Sequence, residues 1–199
     1  MIGIIDYGAG NLLSVKKAFE YIGVRVKIID VPKGLKSLTK LVLPGVGAFE
    51  AAMIKIRERG LYKFIYDWIR EDKPFLGICL GMQLLFEQSE ESSTVDGFNL
   101  FSGTVKRFKL VRCPQIGWNQ VKIRKASCNL FHDIADNSFF YFLHSYFVIP
   151  KENEIEIGTT DYGGNYTSAI GKGSVYAVQF HPEKSGKLGL KLIENWLQM

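Results

Sequence analysis

The sequence predicts an α/β protein in which a central, mostly parallel mixed sheet is flanked by helices and extended by antiparallel strands in its second half. Buried-strand and amphipathic-helix patterns alternate up to about residue 90, and strand and turn patterns then follow one another to about residue 180. The chain has 199 residues, of which 47% are hydrophobic, enough for one good core. We therefore expect a single domain over residues 1–199.

The first half has the strand–helix–strand rhythm of a parallel sheet covered on both faces. The predicted strands are the apolar runs IGIID, VRVKIID, KLVLPG and PFLGIC. Asn11 is placed to cap a first helix that ends at Gly23. Two further helices are expected at about Phe49–Arg59 and Leu61–Glu71, separated by Gly60.

The second half reads as strands and hairpins. The strand patterns are GTVKRFKL, NQVKIRK, FFYFLHSYFVI, EIEIGTTDYGGNYTSAIGKG and VYAVQF, with Gly163, Gly164 and Gly171 as turn residues. A last helix is predicted over Leu188–Leu197. In a sheet of this kind we expect the active loops at the carboxyl ends of the parallel strands.

Composition excludes several classes of function. The formal charge is +5, but the basic residues are interleaved with acidic ones and form no nucleic-acid-binding block. No apolar run approaches the roughly 20 residues of a membrane-spanning helix, and MIGIIDYG does not read as a signal peptide, so we expect a cytoplasmic protein. The three cysteines are an odd count without a CxxC pair, which favours reduced thiols and argues against a zinc site.

The segment FLGICLGMQ places Cys79 between two glycines, after a buried strand and before the helical pattern MQLLFEQ. This is the cysteine form of a nucleophile elbow, in which a tight turn presents the side chain in a cleft. The start of the following helix would favour a thiolate, and the amide of Leu80 would point to a developing oxyanion. The alternative is that Cys79 is a small buried hydrophobic residue.

A thiol nucleophile needs a base, and the chain contains three histidines. His181 follows the strand VYAVQF and precedes Glu183 by two residues, so the carboxylate can turn back and orient the imidazole. The alternative for this pair is a capping histidine beside a solvated glutamate. His132 reads as a loop residue, and His144, among aromatic residues, reads as a packed or substrate-side residue.

The segment LVLPGVGAF supplies a third element at the same sheet edge. A strand that enters Pro44-Gly45-Val46-Gly47 before a helix exposes backbone amides, which can form the other half of an oxyanion hole. An ordinary glycine turn is the alternative.

The motifs PGVG, GICLGMQ and HPEKSG together resemble the class I, triad-type glutamine amidotransferase family, which has a flavodoxin-like fold. A closer resemblance, to the glutaminase subunits that supply a synthase of histidine biosynthesis, extends over nearly the whole chain. It includes IIDYGAGNL, LPGVGAF, KPFLGICLGMQLLFEQSEE, IGWN, YFLHSY and VQFHPEKSG.

The resemblance implies a covalent mechanism for glutamine hydrolysis. Cys79 would attack the side-chain amide, His181 would shuttle protons, and Glu183 would orient His181. The implied oxyanion donors are the backbone at Val46, Gly47 and Leu80. The implied contacts to the α-amino and α-carboxylate groups of glutamine are Gln83, Glu91, Ser145 and Tyr146. No metal or organic cofactor is implied.

The resemblance also implies a heterodimer with a (β/α)₈-barrel synthase subunit. Ammonia would cross the barrel and yield imidazole glycerol phosphate and an aminoimidazole carboxamide ribotide. Independently of the resemblance, ammonia released into water is mostly protonated and useless as a nucleophile, which argues for a docked acceptor. The residues that match interface positions are Asn11, Trp118, Tyr141 and Lys184. We expect the oxyanion loop to be misaligned until the barrel is occupied.

One residue departs from the family pattern: Gln115 stands in the loop before Gly-Trp-Asn, where the family usually has histidine. A paralogous glutaminase that serves another acceptor, such as a bacterial surface sugar undergoing amidination, therefore remains an alternative. A cysteine hydrolase or peptidase on a similar sheet and a non-catalytic binding module are two further alternatives. The HPE loop argues against the first, and the presence of all three triad residues argues against the second.

Overall fold

The computed structural model describes residues 1–8, 11–35, 37–125 and 128–199. These residues form twelve strands: β1 (Ile2–Ile5), β2 (Val26–Ile29), β3 (Lys40–Gly45), β4 (Phe75–Cys79), β5 (Phe86–Ser89), β6 (Phe101–Arg107), β7 (Gln115–Ile123), β8 (Ser138–His144), β9 (Tyr146–Pro150), β10 (Glu156–Asp161), β11 (Asn165–Lys172) and β12 (Val175–Val178). They also form five α-helices: α1 (Leu12–Tyr21), α2 (Phe49–Glu58), α3 (Leu61–Arg70), α4 (Leu80–Gln83) and α5 (Gly186–Gln198).

The strands join into one sheet with the order β2-β1-β3-β4-β12-β11-β10-β7-β8. The first five strands of this order pair in parallel, and the pairs from β12 to β8 are antiparallel. Strand β9 lies outside this order and pairs antiparallel with both β11 and β6. Strand β6 in turn pairs in parallel with β5. The predicted fold class, a mostly parallel sheet in the first half with antiparallel additions in the second, is confirmed.

Helices cover both faces of the parallel half. Helices α2 and α3 bury Met53 and Trp68 in one core cluster, and α1 and α5 bury Phe19 and Trp196 in the other. The rings of Phe19 and Trp196 pack edge to face with their centroids 5.9 Å apart. The strands between the clusters are apolar on both faces, as β3 is at Leu41, Val42 and Leu43, which explains their unbroken hydrophobic runs.

The helix predicted from MQLLFEQ is wrong beyond its first turn. Helix α4 ends at Gln83, and the chain enters β5 at Phe86. The carbonyl of Leu84 accepts a hydrogen bond from the amide of Phe98 (2.8 Å), and Phe86 pairs with Phe101 of β6. Tertiary pairing therefore overrides the helical pattern.

Two smaller predictions also differ from the structure. Asn11 precedes α1 in a left-handed conformation (φ 72°) but makes no side-chain cap, because its side chain reaches Glu183. Gly171 lies within β11, and the turn before β12 contains Gly173 (φ 58°). In the described part of the chain, no helix has the length and apolarity needed to cross a membrane.

Candidate active site

Cys79 lies at the carboxyl end of β4 in a strained backbone conformation (φ 54°, ψ −108°). The two glycines beside it are required by close backbone contacts. A Cβ atom on Gly81 would lie 1.9 Å from the carbonyl oxygen of Leu43, and one on Gly77 would lie 2.9 Å from that of Gly81. The turn that GICLG predicts is therefore present, and it holds the thiol at the edge of the sheet.

Among the described residues, two groups hydrogen-bond to the sulfur of Cys79, and the residue is only 4% exposed. The carbonyl oxygen of Leu143 lies 3.7 Å away and can accept the thiol proton, and Nε2 of Gln179 lies 3.6 Å away and can donate to the sulfur. Helix α4 has only four residues, so the expected stabilisation of a thiolate by a following helix has little support.

The structure places His181 and Glu183 in the loop that follows β12 and pairs them. Nδ1 of His181 lies 2.8 Å from Oε1 of Glu183, and their side chains are 1% and 0% exposed. The side-chain amide of Asn11 donates to the same carboxylate oxygen. Within the described residues Nε2 of His181 has no hydrogen-bond partner, so it is free to exchange a proton in the site.

The ionisation of His181 reflects this setting. Burial opposes protonation of the imidazole, but the charge of Cys79 and the carboxylate of Glu183 outweigh it and raise the pKa of His181 to about 10. A protonated imidazole beside a thiolate is the resting pair that a cysteine nucleophile needs.

The loop that carries the base is fixed to β8. The amide of His181 donates to the carbonyl of Tyr141 (2.8 Å), and the amide of Tyr141 donates to the hydroxyl of Ser185 (2.9 Å). That hydroxyl donates in turn to the carbonyl of His181 (2.7 Å). The position of the imidazole is thus tied to a strand of the antiparallel half.

A cavity of about 280 Å³ lies in front of the sulfur, slightly smaller than most ligand pockets. It brings together Cys79 with all the predicted oxyanion and glutamine-binding residues: Val46, Gly47, Leu80, Gln83, Glu91, Ser145 and Tyr146. Two larger cavities, of about 390 and 340 Å³, lie on the antiparallel half and contact none of the triad residues.

Hydrogen bonds to the backbone hold the polar side chains of this cavity. Nε2 of Gln83 donates to the carbonyl of Tyr146 (2.8 Å). Oε2 of Glu91 accepts from the amide of Phe49 (2.8 Å) at the start of α2. Gly47, in the PGVG turn, has φ 105°, a conformation that favours glycine.

His144 also lines the cavity, from a buried position among aromatic rings. Nδ1 lies 2.8 Å from the carbonyl oxygen of Tyr146, and Nε2 lies 3.2 Å from the hydroxyl of Tyr166. Burial lowers the pKa of His144 to about 4, so the ring is neutral near pH 7. A carbonyl only accepts, so the proton of the neutral ring is on Nδ1 and Nε2 is an acceptor.

Gln115 completes this network and corrects its predicted location. It is the first residue of β7, it is 3% exposed, and its Oε1 lies 2.9 Å from the hydroxyl of Tyr166. The single proton of Tyr166 is committed to His144, so the amide of Gln115 must present its nitrogen to Tyr166. That orientation also gives a partner to Nε2 of Gln115, which is otherwise unpaired among the described residues.

The predicted interface residues surround the base loop. Nζ of Lys184 lies 5.8 Å from the ring centroid of Tyr141, and that ring packs edge to face on Trp118 at 6.0 Å. Trp118 is 56% exposed. Asn11 is half-buried against Glu183 and so joins this surface to the triad.

Two residues of the site escaped the sequence reasoning. Gln179 belongs to the quoted motif VQFHPEKSG, so its position two residues before His181 was an available signal. Tyr166 lies in β11, far from every quoted motif, and only the folded sheet brings it to His144.

An α/β sheet with a cysteine elbow, a histidine–glutamate pair and a cavity at its carboxyl edge defines a cysteine-dependent, triad-type enzyme. The family described as glutamine amidotransferase class-I matches residues 3–199. The chain belongs to this family.

Relatives match over the full length of the chain. The sequence is 50% identical over 200 residues to imidazole glycerol phosphate synthase subunit HisH of Methanocaldococcus jannaschii, with 100% of both chains covered. It is 49% identical over 205 residues to the protein of the same name from Thermococcus kodakarensis, again with 100% of both chains covered.

Solved structures match in fold. A chain of PurLQS from Thermotoga maritima has a TM-score of 0.78 at 15% identity, with 99% of this chain and 97% of that chain covered. A glutamine amidotransferase from Thermotoga maritima has a TM-score of 0.70 at 16% identity, with 99% and 80% covered.

Proposed function

We propose that this chain is the glutaminase subunit of an imidazole glycerol phosphate synthase and supplies ammonia to a barrel-shaped synthase subunit in histidine biosynthesis. The observation that carries the proposal is the small cavity in front of Cys79, together with the buried His181–Glu183 pair that interacts with Cys79, in a chain about half identical to the synthase subunits along its whole length.

The reaction begins with attack of the Cys79 thiolate on the side-chain carboxamide carbon of glutamine. The resulting oxyanion is stabilised by backbone amides at Leu80 and at the Val46–Gly47 turn. The carbon–nitrogen bond then breaks, and protonated His181 gives its proton to the departing ammonia, which leaves a thioester on Cys79.

Water completes the cycle. Neutral His181 takes a proton from water as the oxygen attacks the thioester, and the thiolate of Cys79 leaves. Glutamine and water are thus converted to glutamate and ammonia. Glu183 keeps Nδ1 of His181 protonated throughout, so that Nε2 always faces the reacting groups.

The cavity fits glutamine as the substrate. Glu91 offers a carboxylate to the α-ammonium group, and the backbone of Ser145 and Tyr146 offers polar atoms to the α-carboxylate end. Gln83 lines the same cavity and fixes this backbone through its hydrogen bond to the Tyr146 carbonyl. The reacting carboxamide then points toward Cys79. These roles are proposals that rest on the positions of the residues around one cavity.

An exposed apolar stripe supports a docked partner. The hairpin of β7 and β8 pairs Ile116 with Leu143 and Trp118 with Tyr141, on the face opposite the buried aromatic residues. Ile116, Trp118 and the neighbouring Phe139 are 62%, 56% and 51% exposed. Contiguous exposed apolar surface of this kind is typical of an interaction site.

The same stripe borders the nucleophile. The carbonyl of Leu143 lies 3.7 Å from the sulfur of Cys79, and the backbone of Tyr141 holds His181. A barrel seated here would receive ammonia next to the point of its release. Its contact would also act on the position of the base.

The oxyanion turn supports control by the partner. Apart from Gly47 and its two chain neighbours, no described heavy atom lies within 4 Å of the point where a Cβ on Gly47 would stand, so the Val46–Gly47 peptide has room to reorient. We propose that occupation of the barrel brings this peptide into line with the oxyanion.

The acceptor named by the relatives is favoured over a surface sugar. Both quoted relatives carry the synthase name, and Gln115, which suggested another acceptor, lies in a buried network beneath the stripe. Rescue of a histidine auxotroph by this chain with its barrel partner tests the acceptor directly.

The decisive assay is release of glutamate from glutamine by the chain alone and with its barrel partner, supplied with the nucleotide substrate of the barrel. We expect strong stimulation by the partner, loss of activity in Cys79→Ala, and loss of stimulation in Trp118→Ala. Tyr21→Ala is the matched control, because Tyr21 is 81% exposed at the far end of α1, about 15 Å along the helix from Asn11. Equal turnover with and without the barrel would refute the proposed control by the partner.

A further inference from the structure

Gln179 is a buried polar residue to which the mechanism above gives no role. It follows β12 directly and its side chain is 0% exposed. Its backbone amide is satisfied by the carbonyl of Ser168 (2.9 Å), so the side chain is not needed to pair the main chain. The side chain instead reaches two residues of the site, Cys79 and Gln83.

The orientation of the Gln179 amide follows from the groups around it. The carbonyl of Tyr146 only accepts, so Gln83 must turn its nitrogen toward it, at 2.8 Å. The second hydrogen of that nitrogen then faces Oε1 of Gln179, at 3.0 Å. The nitrogen of Gln179 must therefore face the sulfur of Cys79, at 3.6 Å.

We infer that Gln179 is a further catalytic residue of this enzyme, whose side-chain amide donates a hydrogen bond to the sulfur of Cys79 and stabilises the thiolate. The inference rests on the proposed glutaminase function, which it deepens.

Apart from His181, the other groups around the sulfur of Cys79 do little to stabilise a thiolate, so a hydrogen-bond donor is needed there. The carbonyl of Leu143, 3.7 Å from the sulfur, can accept the proton of a thiol but would face a thiolate with its negative end. Helix α4 is a single turn and contributes little. The amide of Gln179 is then a donor that stays in place when His181 gives its proton away.

The donor acts at two points of the cycle. Before attack it favours the thiolate over the thiol. When water has added to the thioester, the carbon–sulfur bond breaks and the electron pair returns to sulfur while His181 holds the proton taken from water. The amide of Gln179 stabilises that leaving thiolate, and it holds Gln83 against Tyr146 at the same time.

The test is the pH dependence of alkylation of Cys79 by iodoacetamide in the full chain, followed on the Cys79 peptide by mass spectrometry so that Cys113 and Cys128 are distinguished. Gln179→Met keeps the size of the side chain and removes the donor. We expect the midpoint of the profile to rise by about one pH unit and kcat for glutamine to fall about tenfold. Gln179→Glu should raise the midpoint further, because a carboxylate would face the thiolate.

Asn195→Leu is the matched control. Asn195 is a buried amide of α5 that donates to the carbonyls of Leu130 and His132, away from the cavity. Its loss should lower stability and leave the alkylation midpoint unchanged. Should Gln179→Met fail to fold, Gln179→Asn withdraws the amide from the sulfur by one methylene and should give the same shift.

If the alkylation midpoint of Gln179→Met or Gln179→Asn equals that of the wild type, the inference is overturned. This holds even if the barrel still stimulates glutamate release normally. The alkylation profile needs neither glutamine nor the barrel. A chain that fails to serve the histidine-pathway acceptor but shows the shift would refute the proposed acceptor and leave the role of Gln179 standing.

Discussion

The parallel and antiparallel halves of the sheet contribute to the site in different ways. The parallel strands β3, β4 and β12 end at one edge and there present the PGVG turn, Cys79 and the His181–Glu183 pair. The antiparallel strands β7, β8 and β11 contribute side chains from their two faces: His144 and Gln115 lie on the buried face of the β7–β8 hairpin, where Tyr166 of β11 contacts them, and Trp118 lies on the exposed face. The reacting groups thus come from strand ends and the supporting groups from strand faces.

This difference predicts which effect a substitution should have at each kind of position. A strand end holds its residue by local backbone geometry, so a change there removes a reacting group or breaks the turn. A strand face holds its residues by a shared network, so a change there should alter binding or stability and leave some chemistry intact.

The largest effect is expected at a strand end. Cys79→Ala should lower glutamate release about 10⁴-fold or more, because no covalent intermediate can form. The free energy of unfolding of this variant should change little, because alanine also fits in the small buried site of Cys79. Steady-state glutaminase assays of the complex, with thermal unfolding of the same samples, measure both.

Cys128→Ala is the control for Cys79→Ala. Cys128 is half-buried beside Tyr176 and Gly173, at the amino end of β12 and hence at the opposite edge of the sheet. Its activity should match the wild type. Equal losses of glutaminase activity in Cys79→Ala and Cys128→Ala would show that Cys79 is not the nucleophile.

The second prediction concerns the backbone of the elbow. Gly81→Ala would place a methyl group 1.9 Å from the carbonyl oxygen of Leu43, a backbone atom that cannot turn aside. We expect the free energy of unfolding to fall by about 3 kcal/mol, measured by urea denaturation. Gly23→Ala changes a glycine with φ 86° and no described atom within 4 Å of the added methyl, so it should cost only about 1 kcal/mol. Equal costs would contradict the steric argument.

Sequence reasoning succeeded at the strand ends because the relevant signals are local. Glycines beside Cys79, and Glu183 two residues after His181, are contiguous in the chain, and parallel strand ends meet at one edge whatever the detailed packing. The order and type of the main strands followed from hydrophobic runs for the same reason.

It failed where distant segments decide the structure. The helix expected from MQLLFEQ gives way to β5 because Leu84 and Phe86 pair with residues Phe98 and Phe101. No local pattern predicts that Tyr166 lies against His144, because the two residues are 22 positions apart and belong to different strands, β11 and β8. The side-chain bond from Asn11 to Glu183 spans 172 positions and replaced the helix cap that local rules predict.

The pH dependence of stability tests the buried face of the antiparallel half, where His144 lies. The folded state holds the pKa of His144 near 4 against an ordinary value of 6.5, so it favours the neutral ring. Its contribution to stability is present above pH 6.5 and is lost as the pH falls toward 4. The difference of about 2.5 units corresponds to about 3 kcal/mol at most. His144→Leu should flatten this part of the curve of unfolding free energy against pH, and an unchanged slope would show that His144 does not titrate as a buried neutral ring.

Tyr166→Phe should have a smaller effect. It removes the donor to Nε2 of His144 without changing the shape of the buried site. We expect a loss of about 1–3 kcal/mol in unfolding free energy and a few-fold rise in KM for glutamine, with kcat nearly unchanged, because His144 supports the Tyr146 carbonyl of the cavity. A fall in kcat at constant KM would instead place Tyr166 in the chemistry.

The smallest effect is expected at Gln115, the residue that departs from the family pattern. With the proton of Tyr166 committed to His144, Gln115 offers one hydrogen bond to Tyr166 and leaves its other polar atom without a described partner. Gln115→Met keeps the volume, removes that hydrogen bond and also removes the buried unpaired atom, so the two changes nearly cancel. The free energy of unfolding should stay within about 1 kcal/mol of the wild type. If Gln115→Met instead matched the loss seen in Tyr166→Phe, the Tyr166 proton would belong to Gln115, and the assignment of the neutral His144 tautomer would have to be reversed.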